Sequence, residues 1–242
     1  MSIVNDAAYT EARILGRLSK LPSEQDWSYL NPVNDYAHFL ASARATPLGP
    51  WVQLLQPDDG AHAIERRLRA RYLAEVETLS HWTVEGTEDA VAWCRYLPYL
   101  GVIEHLAREG EVYSWMREDP FLDAWISGED RGGLSDTFSS PLAADVGIRE
   151  LWLAGLRSRL PASLVESVAG NTLLERVSLA LHMHPVQAGV AEVAPSLRSL
   201  LHRYLDARIM LPVYLVLFFW MLERLQAELI SRRIFEARVG FA

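Results

Sequence analysis

The sequence predicts an all-α fold, with antiparallel helical repeats packed into a funnel- or bundle-like body and no significant sheet. Three observations carry that expectation. Apolar residues recur three and four apart along most of the chain, the spacing that lines one face of a helix. Alternating β-branched runs are nearly absent, and no Asn-Gly or Asp-Gly turn stands between such runs. Prolines and glycines fall where the periodic segments stop. Half of the 242 residues are hydrophobic and 22% are charged, which excludes a disordered class and supplies the apolar surface for a well-buried core.

Taken in order, Asp6 to Lys20 reads as a first helix, with Ile14, Leu15 and Leu18 on one stripe that Leu21 continues, and Pro22 stops it. Ser23 then reads as an N-cap, with Glu24 and Asp26 in the first turn, opening a short helix through Trp27 and Leu30. A third helix covers Asn34 to Ala45 with Tyr36, Phe39 and Leu40 inward, and Pro47 and Pro50 bracket a short element from Trp51 to Leu55. Asp58-Asp59-Gly60 is a turn and cap ahead of a long helix, Ala61 to His81, whose inward pattern is Ile64, Leu68, Tyr72, Leu73, Val76 and Leu79. Thr87-Glu88-Asp89 caps a helix from Ala90 to Arg108 that must bend near Pro98, and Gly110 ends it. The stretch Gly128 to Gly147, rich in Gly, Ser and Asp, is a loop or linker and the best domain boundary. It divides the chain into an N-terminal helical unit, 1–127, and a C-terminal one, 148–242. In the second unit Ile148 to Arg159, Ala162 to Ala169 and Leu173 to Met183 read as helices. Pro195-Ser196 starts another segment, and a terminal helix follows Pro212 to Ala237.

The net charge of -8 argues against a general nucleic-acid binder, which needs a basic surface to displace counterions from phosphate. A single cysteine, Cys94, makes no internal disulfide, so packing must supply the stability and a reducing compartment is expected. The first residues, Met-Ser-Ile-Val-Asn-Asp, show no basic segment leading into an apolar core, so no signal peptide is expected. The apolar run Ile209 to Leu222 falls short of the ~20 residues that span a bilayer and carries Pro212, so it reads as a buried core helix.

Candidate chemistry is sparse: no catalytic residue, cofactor site or metal site is expected. Arg66, Arg67, Arg69 and Arg71 form the densest basic run, flanked by Glu65, Glu75 and Glu77. On a helix these arginines spread over more than half the circumference. They read as a solvated face with Arg71 and Glu75 paired one turn apart, or as a patch for a partner. His182-Met183-His184 does not converge on a metal, because residues two apart on a helix point to different sides. Cys94, among Trp93, Tyr96 and Leu97, reads as a buried inert thiol. Trp115 and Trp125 lie beside the loop and are expected to be partly exposed. No Gly-x-Ser-x-Gly elbow and no phosphate-binding glycine loop is found. Tyr9-Thr-Glu-Ala-Arg-Ile14 is echoed by Tyr204-Leu-Asp-Ala-Arg-Ile209 and more loosely by Phe235-Glu-Ala-Arg-Val239, each placing an aromatic and an apolar residue on one helix face. Arg13, Arg66, Arg67, Arg69 and Arg208 are therefore the candidate interface residues.

Several of these segments together carry a resemblance. They are Tyr9-Thr-Glu-Ala-Arg13 with Arg17 and Leu18, the Ser23-Glu-Gln-Asp26 helix, Ala45-Thr-Pro-Leu-Gly49, and Ile64-Glu-Arg-Arg-Leu68. Near the C-terminus, Pro212-Val-Tyr-Leu, Glu223-Arg-Leu-Gln and Ile230-Ser-Arg-Arg-Ile234 belong with them. They resemble the C-type subunit family of archaeal and vacuolar-type rotary ATPases, known as the d-type in the eukaryotic enzyme. In that family a Tyr-x-x-Ala-Arg helix opens the chain and the last helix reads Glu-x-x-Asn-Leu-Arg-x-Ile. Here Gln226 stands in place of the asparagine, Glu111 to Pro195 has no motif that aligns, and the length is short for the family's three helical repeats. The resemblance implies a non-catalytic coupling or spacer component without cofactors, linking the central-stalk subunits to the membrane proteolipid ring. It also implies a cytoplasmic place against the membrane face, without a spanning segment. The other expectation is an unrelated α-helical interaction module, self-associating through the Ile209–Leu222 surface.

Overall fold

The computed structural model describes residues 3–108, 110–129, 147–183 and 190–239, with side chains omitted at 3–6, 190–192 and 235–239. Among the described residues every regular element is helical and no strand occurs. Helices α1 (Ile3–Leu18), α2 (Glu24–Leu30), α3 (Tyr36–Arg44) and α4 (Gly49–Val52) lead into the long α5 (Ala61–Ser80). Next come α6 (Glu88–Trp93), a 3₁₀ turn (Cys94–Tyr99) and α7 (Leu100–Ala107), then the short α8 (Ser114–Arg117) and α9 (Pro120–Ser127). The second part holds α10 (Ile148–Ser158), α11 (Ala162–Val165), α12 (Val168–His182), α13 (Val190–Arg203) and α14 (Ala207–Val239). Most of the predicted linker lies outside the described residues, as do His184 and the side chains of Phe235 to Val239.

Local chemistry explains most boundaries. Ser23 accepts from the Asp26 amide while the Asp26 carboxylate accepts from the Ser23 amide at 2.7 Å, a reciprocal capping box that starts α2. The bend expected near Pro98 is the 3₁₀ turn, which lets the chain pass a residue that has no N–H to give. Gly128, at φ 71°, ends α9 in the left-handed region that a side chain would strain. The Asp58-Asp59 cap is corrected: the N-cap of α5 is Gly60, with no side-chain cap. Asp59 instead closes the turn by accepting from the Gln56 amide at 2.7 Å and pairs with Arg67.

The second part departs from expectation at its prolines. Both Pro195 and Pro212 lie inside helices, not at their starts. For α14 the reason is visible. Asp206 accepts from the Arg208 amide at 3.0 Å, Glu11 accepts from the Ala207 amide at 3.2 Å, and Ile209, Met210 and Leu211 are completely buried. An N-cap pair and a buried turn before the proline outweigh the one backbone bond it forfeits, at a helix-interior cost of about 3 kcal/mol.

Helix α14 is the axis of the molecule. It is 33 residues long and apolar all round between Ile209 and Leu222, and that stretch is enclosed by α1, α3, α5, α6, the 3₁₀ turn, α12 and α13. Of its most apolar window, 78% is buried within the protein, as expected of a core helix. The body is accordingly bundle-like, with α14 in its middle. One expectation is corrected: the Ile209–Leu222 surface has next to no exposure left for self-association.

Helices from both sides of residues 130–146 contribute to one continuous core. Helix α10 packs on α6 and α7, and α12 and α13 pack on α14 beside α5. The echo does not make equivalent structure. Tyr9 and Arg13 lie within α1, whereas Tyr204 precedes α14 in a bend, so its aromatic shares no helix face with Ile209.

Candidate functional site

Two of the five arginines predicted to face a partner, Arg67 and Arg69, are engaged within the fold, and three keep substantial exposure. Arg69 is 6% exposed, bonded to Glu65 at 2.5 Å and to Asp119 at 2.8 Å, with Tyr99 beneath its guanidinium at 4.9 Å. It is corrected from interface residue to internal tie between α5 and the start of α9. Arg67 donates to the Leu54 carbonyl at 2.7 Å and to Asp59 at 3.0 Å, holding the turn before α5. Arg66 remains exposed and pairs with Glu118 at 3.1 Å, a screened contact of small worth. Arg13 is exposed too, its guanidinium 3.6 Å over Trp82 and 5.2 Å over Tyr9. Arg208 is half exposed and forks onto Asp206 at 2.6 and 2.9 Å.

The five therefore do not form one patch. Arg13 and Arg208 share the end of the bundle where Glu11 meets the start of α14, together with the exposed side chains of Tyr9 and Leu205. Arg66, Arg67 and Arg69 sit on the first half of α5, beside its start at Gly60, whereas its other end leads to Trp82 beneath Arg13.

Glu75 is not the exposed partner that its place beside the arginines predicts. It is 1% exposed and sits on the buried stripe of α5 between Tyr72 and Val76. Its carboxylate accepts from Arg17 of α1, from Arg71 at 3.2 Å, and from the Tyr214 hydroxyl of α14 at 3.2 Å. Burial first, and then the Glu75 charge, push the Tyr214 phenol far above its ordinary value, so it stays a neutral donor to that carboxylate. One carboxylate thus joins α1, α5 and the axial helix.

Cys94 is fully buried and its thiol meets the Ala90 carbonyl at 3.4 Å; burial holds its pKa far above the usual thiol range. Iodoacetamide at neutral pH is expected to leave Cys94 unmodified in the native protein and to label it fully in urea. Equal labelling in both would place the thiol at the surface. Trp115 is half-buried as expected, but Trp125 is buried at 9%. His182 pairs with Glu150, 2.5 Å away across α10 and α12, and its other ring nitrogen meets the Ser178 carbonyl at 2.7 Å; the bond to Glu150 first, and then that to Ser178, raise the imidazole pKa. Among the described residues no three metal-ligating side chains converge.

A cavity of about 280 Å³ lies between α5, the 3₁₀ turn, α7, α10, α12 and α14. Tyr72, Phe219 and Trp220 form its aromatic wall, while Glu65, Arg69, Arg149 and Glu223 supply its charges. Burial pushes the Glu223 carboxyl up to about 7, with Glu65 adding to the rise and Arg149 and Arg69 opposing it. No hydrogen bond to the Glu223 carboxyl is made by the described residues, and the Trp220 indole N–H and the Arg69 Nε–H are buried without an acceptor. A smaller polar cavity of about 250 Å³, under His62, Trp115 and Glu118, shares the Glu65 and Arg69 wall. No sequence pattern signals either, since the larger is lined from Glu65 to Gln226.

No protein-family model, no curated protein and no solved structure matches this chain.

Proposed function

We propose that the protein is a non-catalytic coupling or spacer component of a vacuolar- or archaeal-type rotary ATPase, joining central-stalk subunits to the proteolipid ring from the cytoplasmic side of the membrane. The supporting observation is where the resembling segments lie. Those at the N-terminus and those at the C-terminus, far apart in sequence, are cross-tied into one unit. Arg224 bonds Glu24 at 2.7 Å and stacks 4.5 Å over Trp27. Arg232 donates to the Val33 carbonyl at 2.6 Å and lies 4.2 Å over Phe39, and Arg17 reaches Glu75 beside Tyr214.

A part that passes torque must not yield when its two ends are pushed apart. Close-packed helices resist deformation, and charged side chains shared between three helices fix their register. Because α14 fills the middle, the partners of this body meet its outer surface and its ends; no socket is invoked. The end that carries Tyr9, Arg13, Leu205 and Arg208 combines exposed aromatic and apolar side chains with cations, the composition of protein-binding surfaces.

The test is a pull-down of the purified protein with isolated proteolipid ring and, separately, with central-stalk subunits. Retention by both is expected, weakened by Tyr9→Glu or Leu205→Glu, exposed positions where the fold tolerates a charge. Binding to neither component overturns the proposal.

A further inference from the structure

We propose that the cavity between α5, α7, α12 and α14 is a binding site for a small organic cation, an ammonium group on an apolar body, seated between the Glu223 carboxylate and the aromatic wall of Tyr72, Phe219 and Trp220. This goes beyond the coupling role and does not depend on it.

Four observations converge. First, the volume of about 280 Å³ lies near the lower end of ligand pockets, about 300–1,000 Å³, which limits the guest to a small molecule. Second, Tyr72, Phe219 and Trp220 supply an aromatic wall opposite charged groups, and aromatic faces attract a cation through their negative quadrupole. Third, Glu223 makes no hydrogen bond to the described residues, although Arg149 and Arg69 stand on the same walls. The carboxylate is half-buried at the cavity wall, so it can meet a charged guest directly.

The fourth is the local charge balance. The ionisable groups that face Glu223 are Glu65, Arg69 and Tyr72 from α5 and Arg149 from α10. Arg69 is already shared between Glu65 and Asp119, and Arg149 spends a donor on the Leu181 carbonyl. The lining carries two carboxylates, Glu65 and Glu223, and two guanidiniums, Arg69 and Arg149, but both guanidiniums are engaged elsewhere, so a positive charge on the guest gives Glu223 the partner it lacks.

The geometry ties binding to protonation. The guest pairs with the ionised carboxylate, which is present above its pKa of about 7 and is lost as the pH falls through that value. Isothermal titration of the full chain tests this with phenethylammonium, its neutral analogue 2-phenylethanol and its anionic analogue 3-phenylpropionate. At about pH 8 the ammonium is expected to bind at least tenfold tighter than either analogue. At about pH 5.5 its affinity is expected to fall roughly tenfold or more, the change in ionised fraction over that interval.

Glu223→Gln removes the charge while keeping the shape, and is expected to reduce the ammonium to the affinity of the alcohol. Gly101→Leu projects from α7 at a cavity-lining position where an added Cβ meets nothing within 4 Å, so the fold is kept and the space filled. It is expected to abolish binding of the ammonium. No binding of phenethylammonium at millimolar concentration, equal binding of either analogue, or unchanged binding by Glu223→Gln overturns the assignment.

Discussion

Replacing Glu75 by alanine is expected to lower the stability of the protein by about 3 kcal/mol, among the largest effects of any single polar substitution in the chain. The carboxylate itself is almost wholly excluded from water, and the three groups that point at it come from α1, α5 and α14. Removing one member of a buried ionic set costs more than the set contributes, because the remaining members keep their desolvation and lose their partner. Here the Arg17 and Arg71 side chains keep 29% and 25% exposure, so they recover some hydration and the loss falls at the lower end of the usual 3–5 kcal/mol, about 3. Tyr214 recovers none, being 2% exposed.

Glu75→Gln should cost less than the alanine change, since the amide oxygen still accepts from Tyr214. A double-mutant cycle of Glu75→Ala with Tyr214→Phe should show a coupling of about 1 kcal/mol or more, because Tyr214→Phe removes the donor that the alanine strands. Urea unfolding at constant m-value measures both. A loss below about 1 kcal/mol for Glu75→Ala would mean that packing alone sets the register of α1, α5 and the axial helix, and would remove the stiffness on which the coupling role draws.

Glu75 also shows where a sequence stops being readable. The helix that carries it is plain from Ile64, Leu68, Tyr72, Val76 and Leu79, and these are buried as expected. Periodicity counts apolar residues, so an acid lying on that same stripe registers only as the exposed partner of Arg71. What buries it is Tyr214, 139 residues away, and nothing near Glu75 in sequence signals that hydroxyl. Arg69 escapes for the same reason, since Asp119 lies 50 residues on.

Where a boundary depends on a few adjacent residues, sequence and structure agree. Ser23 with Asp26 and the bend at Pro98 both appear as expected. Where local rules conflict, the more conspicuous signal misleads: Pro212 looks like a helix start and Asp206 does not, although an Asp three residues before a buried Ile-Met-Leu run is itself a start signal. The cavity belongs to the unreadable class throughout, because its walls exist only after six elements have met.

The second large effect is expected at the contact of α6 with α10. Trp152 is completely buried, and the indoles of Trp93 and Trp152 reach across to each other's backbone: Trp93 donates to the Trp152 carbonyl at 2.9 Å, and Trp152 returns a longer bond of 3.4 Å to the Trp93 carbonyl. Arg159 lies 3.8 Å over the Trp93 ring. The helices can approach this closely because residue 155 is glycine; a Cβ there would stand 2.5 Å from Trp93 Cζ2. Trp152→Ala should therefore cost about 3–5 kcal/mol through the cavity it leaves, and Gly155→Ala about 1–3 kcal/mol through overpacking against a ring held on both faces. Trp152→Phe, which loses the N–H donor and part of the ring but keeps much of the volume, should cost less than Trp152→Ala.

The form of the unfolding curve matters as much as its midpoint. Helices α6 and α10 come from opposite sides of residues 130–146, and the core is continuous across them. If that contact makes the whole chain one cooperative unit, the wild type unfolds in urea in a single transition, and Trp152→Ala shifts all of it without splitting it. A biphasic curve in which the substitution moves one phase alone would instead mean two domains that merely touch. Force applied to one end would then be absorbed between them, and a spacer that must transmit it could not be built this way.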